Sequence, residues 1–167
     1  MVWGDLYKET LKTSFIMTKQ QLQEELKQSM LAKDELRTSV LRLLLSSINY
    51  YEIEKGKAGY EATDDDILIV IQREIKQRKD SIEHFESAGR QELVDKEQKE
   101  LEILRKYLPE QMGEDEVKSI VEQTIKETGS STIQDMGKVM GALNAKLKGK
   151  ADMGMVSQLV KEKLTTS

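Results

Sequence analysis

Apolar side chains recur along the chain every three or four residues, the repeat that gathers them on one side of an α helix. Leu22, Leu26 and Met30 form the first such stripe. Thr18 stands before it with Gln21 three positions later, a reciprocal capping pair that predicts a helix over about 19–32. Asp34 caps a longer helix, about 35–55, with Leu36, Val40, Leu44, Ile48 and Tyr51 inward. Lys55-Gly-Lys-Ala-Gly59 breaks the pattern with two glycines and predicts the most mobile internal loop. Thr63 and Asp64 to Asp66 open a third helix, placing negative charge at its positive dipole end. Its stripe runs Ile67, Ile71, Ile75, Ile82 and Phe85, and it stops near Ala88-Gly89. A fourth helix, about 90–107, presents Val94, Leu101, Leu104 and Leu108. Pro109 ends it, because proline cannot continue the hydrogen-bond ladder and restricts the residue before it.

Pro109 also marks a domain boundary, with three shorter helices beyond it. The first, about 114–128, turns Val117, Ile120, Val121, Thr124 and Ile125 inward and stops at Gly129. The second, about 133–148, opens at Thr132 with Asp135 three positions on, and Gly149 closes it. Ile133, Met136, Met140, Leu143 and Leu147 are its expected inner face. The third, about 153–165, is capped by Asp152 and buries Val156, Leu159, Val160 and Leu164. The pattern therefore predicts an all-α chain with an N-terminal lobe of four helices over 17–109 and a C-terminal three-helix lobe over 110–167. Residues 1–16 read as a leader outside the fold, either an upstream start or an artefact, with Met17 as the true beginning.

Composition narrows the chemistry more than the architecture. One proline and few aromatics among many Glu, Lys, Leu and Gln fit helices and disfavour sheets. Cysteine is absent and His84 is the one histidine. That excludes disulfides, thiolate nucleophiles and multi-histidine metal sites, so no metal or cofactor is expected. No apolar run reaches the roughly 20 residues of a membrane span. The leader carries Asp5 and Glu9, matching neither a secretory signal nor an acid-poor transit peptide, so the cytoplasm is the default location. A net charge of −4 argues against indiscriminate nucleic-acid binding. The charge is uneven, however. From Met136 to Ser167 six lysines face two carboxylates, a local excess of +4.

The most informative stretch runs from Asp135 to Asp152. Gly137 and Gly141 lie one turn apart, and each costs roughly 1 kcal/mol relative to alanine inside a helix. Asn144 and Lys148 fall on the same side. A bare backbone strip bordered by an amide and an ammonium lets a phosphate approach closely; equally, a neighbouring helix can cross at the glycines. Lys146, Lys148 and Lys150 suit either phosphate contact or compensation of a helix C-terminal dipole. In the third helix Arg78 falls within the apolar stripe, so its guanidinium must meet a carboxylate or snorkel outward. Glu74 and Glu52 are the candidate partners. No catalytic constellation, phosphate-binding glycine loop or nucleophile elbow is present.

Three blocks carry a family likeness: Lys76-Gln-Arg-Lys-Asp-Ser-Ile-Glu83, Tyr107-Leu-Pro-Glu-Gln111, and Asp135-Met-Gly-Lys-Val-Met-Gly141 with Lys146-Leu-Lys-Gly-Lys-Ala-Asp152. Together they resemble the YqeY family, which is similar in turn to the tail domain of the GatB subunit of glutamine-dependent tRNA amidotransferases. The resemblance implies two helical lobes and a link to tRNA, since that tail contacts tRNA. It places a candidate nucleic-acid surface on Gly137, Lys138, Gly141, Lys146, Lys148 and Lys150, to which helix geometry adds Asn144. It equally allows a protein-interaction module docking on an amidotransferase or translation partner. Carbon–nitrogen ligase activity with glutamine as amido donor follows by family association only, because the catalytic parts of the amidotransferase match nothing in this chain.

Overall fold

The computed structural model describes residues 17–56 and 59–165. The expected leader and the middle of the loop predicted over 55–59 lie outside those residues. Among the described residues all regular structure is helical. The α helices are α1 Lys19–Leu31, α2 Glu35–Glu54, α3 Asp64–Ser87, α4 Gln91–Arg105, α5 Glu114–Thr128, α6 Met136–Leu147 and α7 Met153–Thr165. The chain divides after Pro109 into two compact units.

Local chemistry explains most of the helix ends. Thr18 accepts from the Gln21 amide at 3.2 Å while the Gln21 side chain accepts from the Thr18 amide at 2.8 Å. Asp34 accepts from the Arg37 amide at 3.1 Å. At the start of α3, Asp66 closes a capping box with Thr63 and is buried. Its carboxylate accepts from the Tyr51 hydroxyl at 2.9 Å, the Tyr60 hydroxyl at 2.5 Å and the Thr63 amide at 3.0 Å. Burial pushes this carboxyl up, but the bonds from Tyr60, Thr63 and Tyr51 outweigh it and hold Asp66 well below the usual carboxylate range. The same bond to Asp66 pushes the Tyr60 phenol up to about 12.

In the first unit the core is aliphatic, built on Leu22, Val40, Leu41, Leu44, Ile48, Ile67, Ile71, Leu101 and Leu104. The α1 stripe leaves this core at its last member. Met30 is exposed, and Ser29 is buried in its place, sharing a 2.9 Å hydrogen bond with Thr38 of α2. Arg78 is buried as expected of its stripe position, but its partners are neither Glu74 nor Glu52. It pairs with Glu100 at 2.9 Å and Glu97 at 3.5 Å, both on α4. Glu74 instead accepts from the Ser47 hydroxyl at 2.6 Å, and Glu52 binds Lys19 at 2.7 Å and the Ala62 amide at 2.9 Å. The reason is tertiary: α3 lies along α4, so the carboxylates that reach Arg78 come from the facing helix. Arg78 Nε is left as a buried N–H without a partner among the described residues.

In the second unit α5, α6 and α7 share one core of Val117, Val121, Val139, Leu143, Leu147, Val156, Val160 and Leu164. Gly129 ends α5 in the left-handed conformation, φ 62°, where an L side chain is strained. Asp152 accepts from the Gly154 amide at 2.8 Å at the start of α7.

Candidate nucleic-acid interface

The helix expected from 133 begins as a tight 3-10 turn, Ile133–Asp135, before α6 proper. Asp135 Oδ2 imposes that turn by accepting from the amides of Ser131 and Thr132, each at 3.1 Å. Those backbone bonds, the Ser131 amide first, lower the Asp135 pKa. The turn also shifts the inner face of α6. Val139, Leu143 and Leu147 are buried, Met136 and Met140 are only half-buried, and Ile133 is exposed. The spacing of three and four fitted both faces, and the size of the flanking methionines masked Val139.

With Val139 inward, 3.6 residues per turn carry Gly137, Gly141 and Asn144 to the outer side. All three are exposed. A methyl group added at Gly137 or Gly141 would meet no atom within 4 Å outside the helix's own backbone. No neighbouring helix of the described chain crosses at these glycines, which removes one of the two explanations for them. What is left is two turns of helix backbone open to solvent, beside an amide side chain.

The lysines do not all border this strip. Lys138 and Lys146 project from the flank that faces the end of α5. Lys138 Nζ donates to the Thr128 carbonyl at 2.9 Å. Lys146 Nζ donates to Glu127 at 2.6 Å and to the Thr124 hydroxyl at 3.2 Å. The Lys146 bond, followed by one from Gln123, lowers the Glu127 pKa. Lys138 thereby compensates the C-terminal dipole of α5, and Lys146, in the last turn of α6, sets its ammonium beside the end of α5 as well. Lys148 occupies the C-cap of α6, with its amide donating to the Asn144 carbonyl at 3.1 Å. Gly149 follows at φ 73°, and Lys150 is exposed beyond it. This loop is tied to the start of the unit: Gln111 Nε2 donates to the Gly149 carbonyl at 2.7 Å, and the Met112 amide donates to the Lys150 carbonyl at 2.9 Å.

The structure thus groups the seven candidates into an open strip (Gly137, Gly141, Asn144), a loop (Lys148, Lys150) and a flank engaged with α5 (Lys138, Lys146). Over residues 110–165 eight lysines stand against nine carboxylates, so the unit is polarised rather than basic. Among the described residues no group of three or more His, Asp or Glu is arranged to hold a metal ion. Nor is any of their helices long and apolar enough to cross a membrane.

A sequence model of Yqey-like proteins matches residues 19–164, spanning all seven helices. The chain belongs to the YqeY family. Curated YqeY-like relatives include "Altered inheritance of mitochondria protein 41, mitochondrial" of Pyrenophora tritici-repentis, 33% identical over 84% of this chain and 77% of that protein. The protein of that name from Lachancea thermotolerans is 41% identical over 57% of this chain, and that from Saccharomyces cerevisiae is 42% identical over 52%. This chain spans only 50% and 46% of the lengths of those two. All three are named as mitochondrial proteins, which overturns the cytoplasmic expectation. That expectation rested on the default for a chain without a recognised targeting pattern, and a default carries no positive signal.

Proposed function

We propose that the second unit is a non-catalytic module for a structured RNA such as tRNA, working in a mitochondrial setting like that named for its relatives. The observation that carries this reading is the solvent-open backbone at Gly137 and Gly141. A phosphate can approach that strip more closely than any helix face bearing side chains, with the Asn144 amide beside it and Lys150 on the loop that follows the helix. Lys148, at the helix end, adds to the local field. Lys138 and Lys146 form a reserve. The Lys138 bond to the Thr128 carbonyl and the Lys146–Glu127 ion pair are exposed, and exposed ion pairs stabilise by only about 0–1 kcal/mol, so a phosphate can replace Glu127 at little cost. The likeness of this unit to the tRNA-contacting GatB tail supports the same reading.

The test is fluorescence anisotropy with labelled tRNA across a salt series. Binding should weaken linearly on logarithmic axes, and each lysine replaced by alanine should lower the slope by roughly 0.7–0.9. Undetectable binding at low salt sinks the proposal, as does a slope unchanged when Lys138, Lys146, Lys148 and Lys150 are all replaced. One observation favours a second reading: Ile133, Met136 and Met140 flank the glycines with apolar surface. A partner helix seated there would be lost in Gly141→Leu yet survive reversal of the four lysine charges.

A further inference from the structure

Sulfur is sorted in the second unit. The chain has eight methionines and no cysteine, so thioethers are its only oxidisable sulfur. Five of the eight, Met112, Met136, Met140, Met153 and Met155, fall within 110–167, about a third of the chain. All five are half-buried and packed against one core. Among the described residues the buried members of that core are valine, leucine and alanine alone. Methionine ordinarily ranks with the residues most often fully buried, so placing all five at the boundary with water is a pattern of this unit. The first unit does not share it: Met17 is 7% exposed within its core, and Met30 is 51% exposed outside it.

A half-buried thioether combines two properties. Its exposed part admits a small oxidant from water, and its buried part ties the product to the packing of the core. Attack of the sulfur lone pair on hydrogen peroxide forms the S–O bond and breaks the O–O bond. Sulfur loses two electrons, the peroxide gains them, and the remaining oxygen leaves as water. The sulfoxide is polar, and holding it against hydrocarbon without a hydrogen-bond donor is unfavourable, so the side chain turns outward and the core loses part of its wall. A dithiol reverses the change, returning the thioether with release of water and formation of a disulfide in the reductant. The five positions also cluster by place. Met136 and Met140 lie beside the open glycine strip of α6. The Met112 amide donates to the Lys150 carbonyl at 2.9 Å, and Met153 and Met155 occupy the first turn of α7, just beyond the lysine-bearing loop.

We propose that hydrogen peroxide controls the second unit by reversible sulfoxidation of Met112, Met136, Met140, Met153 and Met155, which loosens α6 and α7 around the loop at 148–152. The quantity switched is the packing of the unit, so the device operates whatever the unit binds. Methionine at a core boundary has another use, adaptable packing for a binding surface. Leucine separates the two, because it nearly matches the volume of methionine and cannot take up oxygen.

The experiment treats the full chain with hydrogen peroxide under native conditions. Oxygen uptake at each methionine is mapped by peptide mass spectrometry, and hydrogen exchange is read separately on the two units. The five methionines should oxidise more slowly than Met30 and faster than Met17. Amides of α5, α6 and α7 should then exchange about tenfold faster or more, and those of α1 to α4 by less than about twofold. Methionine sulfoxide reductases A and B with a dithiol should restore the original rates. Leucine at all five positions should leave exchange near the parent before peroxide and abolish the response afterwards. Should that variant fail to fold, Met136→Leu with Met140→Leu should at least halve the acceleration in α6, whereas Met30→Leu should leave it unchanged. Equal exchange before and after oxidation of all five overturns the proposal, as does an acceleration shared by the first unit or one that the reductases do not reverse. So does a leucine variant that still responds in full, or oxidation of the five no faster than that of Met17, which would place the reaction in the unfolded chain.

Discussion

Removing Glu100 should be far more damaging than removing it together with Arg78. Arg78 and Glu100 are both buried and 2.9 Å apart on α3 and α4. Glu97 is more exposed and more distant, at 3.5 Å, and Arg78 Nε already lacks a partner. Glu100→Ala therefore leaves a guanidinium desolvated and poorly paired. Breaking a buried pair costs about 3–5 kcal/mol, and the remaining Glu97 contact puts the expected loss at about 3 kcal/mol. Replacing both members with apolar residues of similar volume removes the desolvation penalty along with the attraction, so Arg78→Met with Glu100→Leu should fall within about 1 kcal/mol of the parent. Native-state hydrogen exchange read on α3 and α4 measures this regardless of how the second unit behaves. The single variant should exchange roughly a hundredfold faster there, the double variant less than about tenfold. If Glu100→Ala is nearly silent, or the double variant is as weak as the single, the pair is not the anchor of these helices.

Other consequences are equally open to measurement. Gly137→Ala and Gly141→Ala should each stabilise the second unit by roughly 0.5–1 kcal/mol in urea unfolding, since the added methyl meets open space; destabilisation would mean the strip is covered. Lys146→Ala should change stability by less than about 1 kcal/mol, because its pair with Glu127 is exposed. Asp66 has a folded pKa below its unfolded one, so its contribution is full above the ordinary carboxylate range and fades as pH falls through the folded value. The parent and Asp66→Asn should accordingly differ at neutral pH and converge in acid, as followed by helicity during pH-controlled melts. Tyr60 runs the other way: its raised pKa stabilises below about 10 and the contribution is lost toward about 12. Ultraviolet titration should show one late phenol that disappears in Tyr60→Phe.

Most helix boundaries were legible because capping is local. Thr18 with Gln21, Asp34, Thr63 with Asp66 and Gly129 each act within four residues, so spacing alone reveals them. Contacts between helices were less accessible. Glu74 lies one turn from Arg78 and looked like its partner, but only the packing of α3 along α4 shows that Glu97 and Glu100 are the ones within reach. The rotation of α6 was missed for a related reason. Methionine, leucine and valine all satisfy an apolar stripe, and the choice between Met136 and Val139 is made by the volume available beneath the helix. Consequently the glycines were visible in the sequence while their exposure was not. Lys146 was recognised as dipole-compensating, but neither it nor Lys138 as reaching the end of a different helix. Location had no residue-level signature in the described part of the chain at all.

Where to cut this protein follows from the two bonds that join residues 111 and 112 to residues 149 and 150. Gly113 precedes α5 and would be a natural starting point for an isolated second unit judged by secondary structure alone. A fragment beginning there would delete Gln111 and Met112, releasing the Gly149 carbonyl and the Lys150 carbonyl at the same moment. The lysine-bearing loop would then fray in a fragment whose three helices remain intact, and a loss of ligand affinity would be blamed on the wrong residues. Fragments for binding work should begin no later than Glu110.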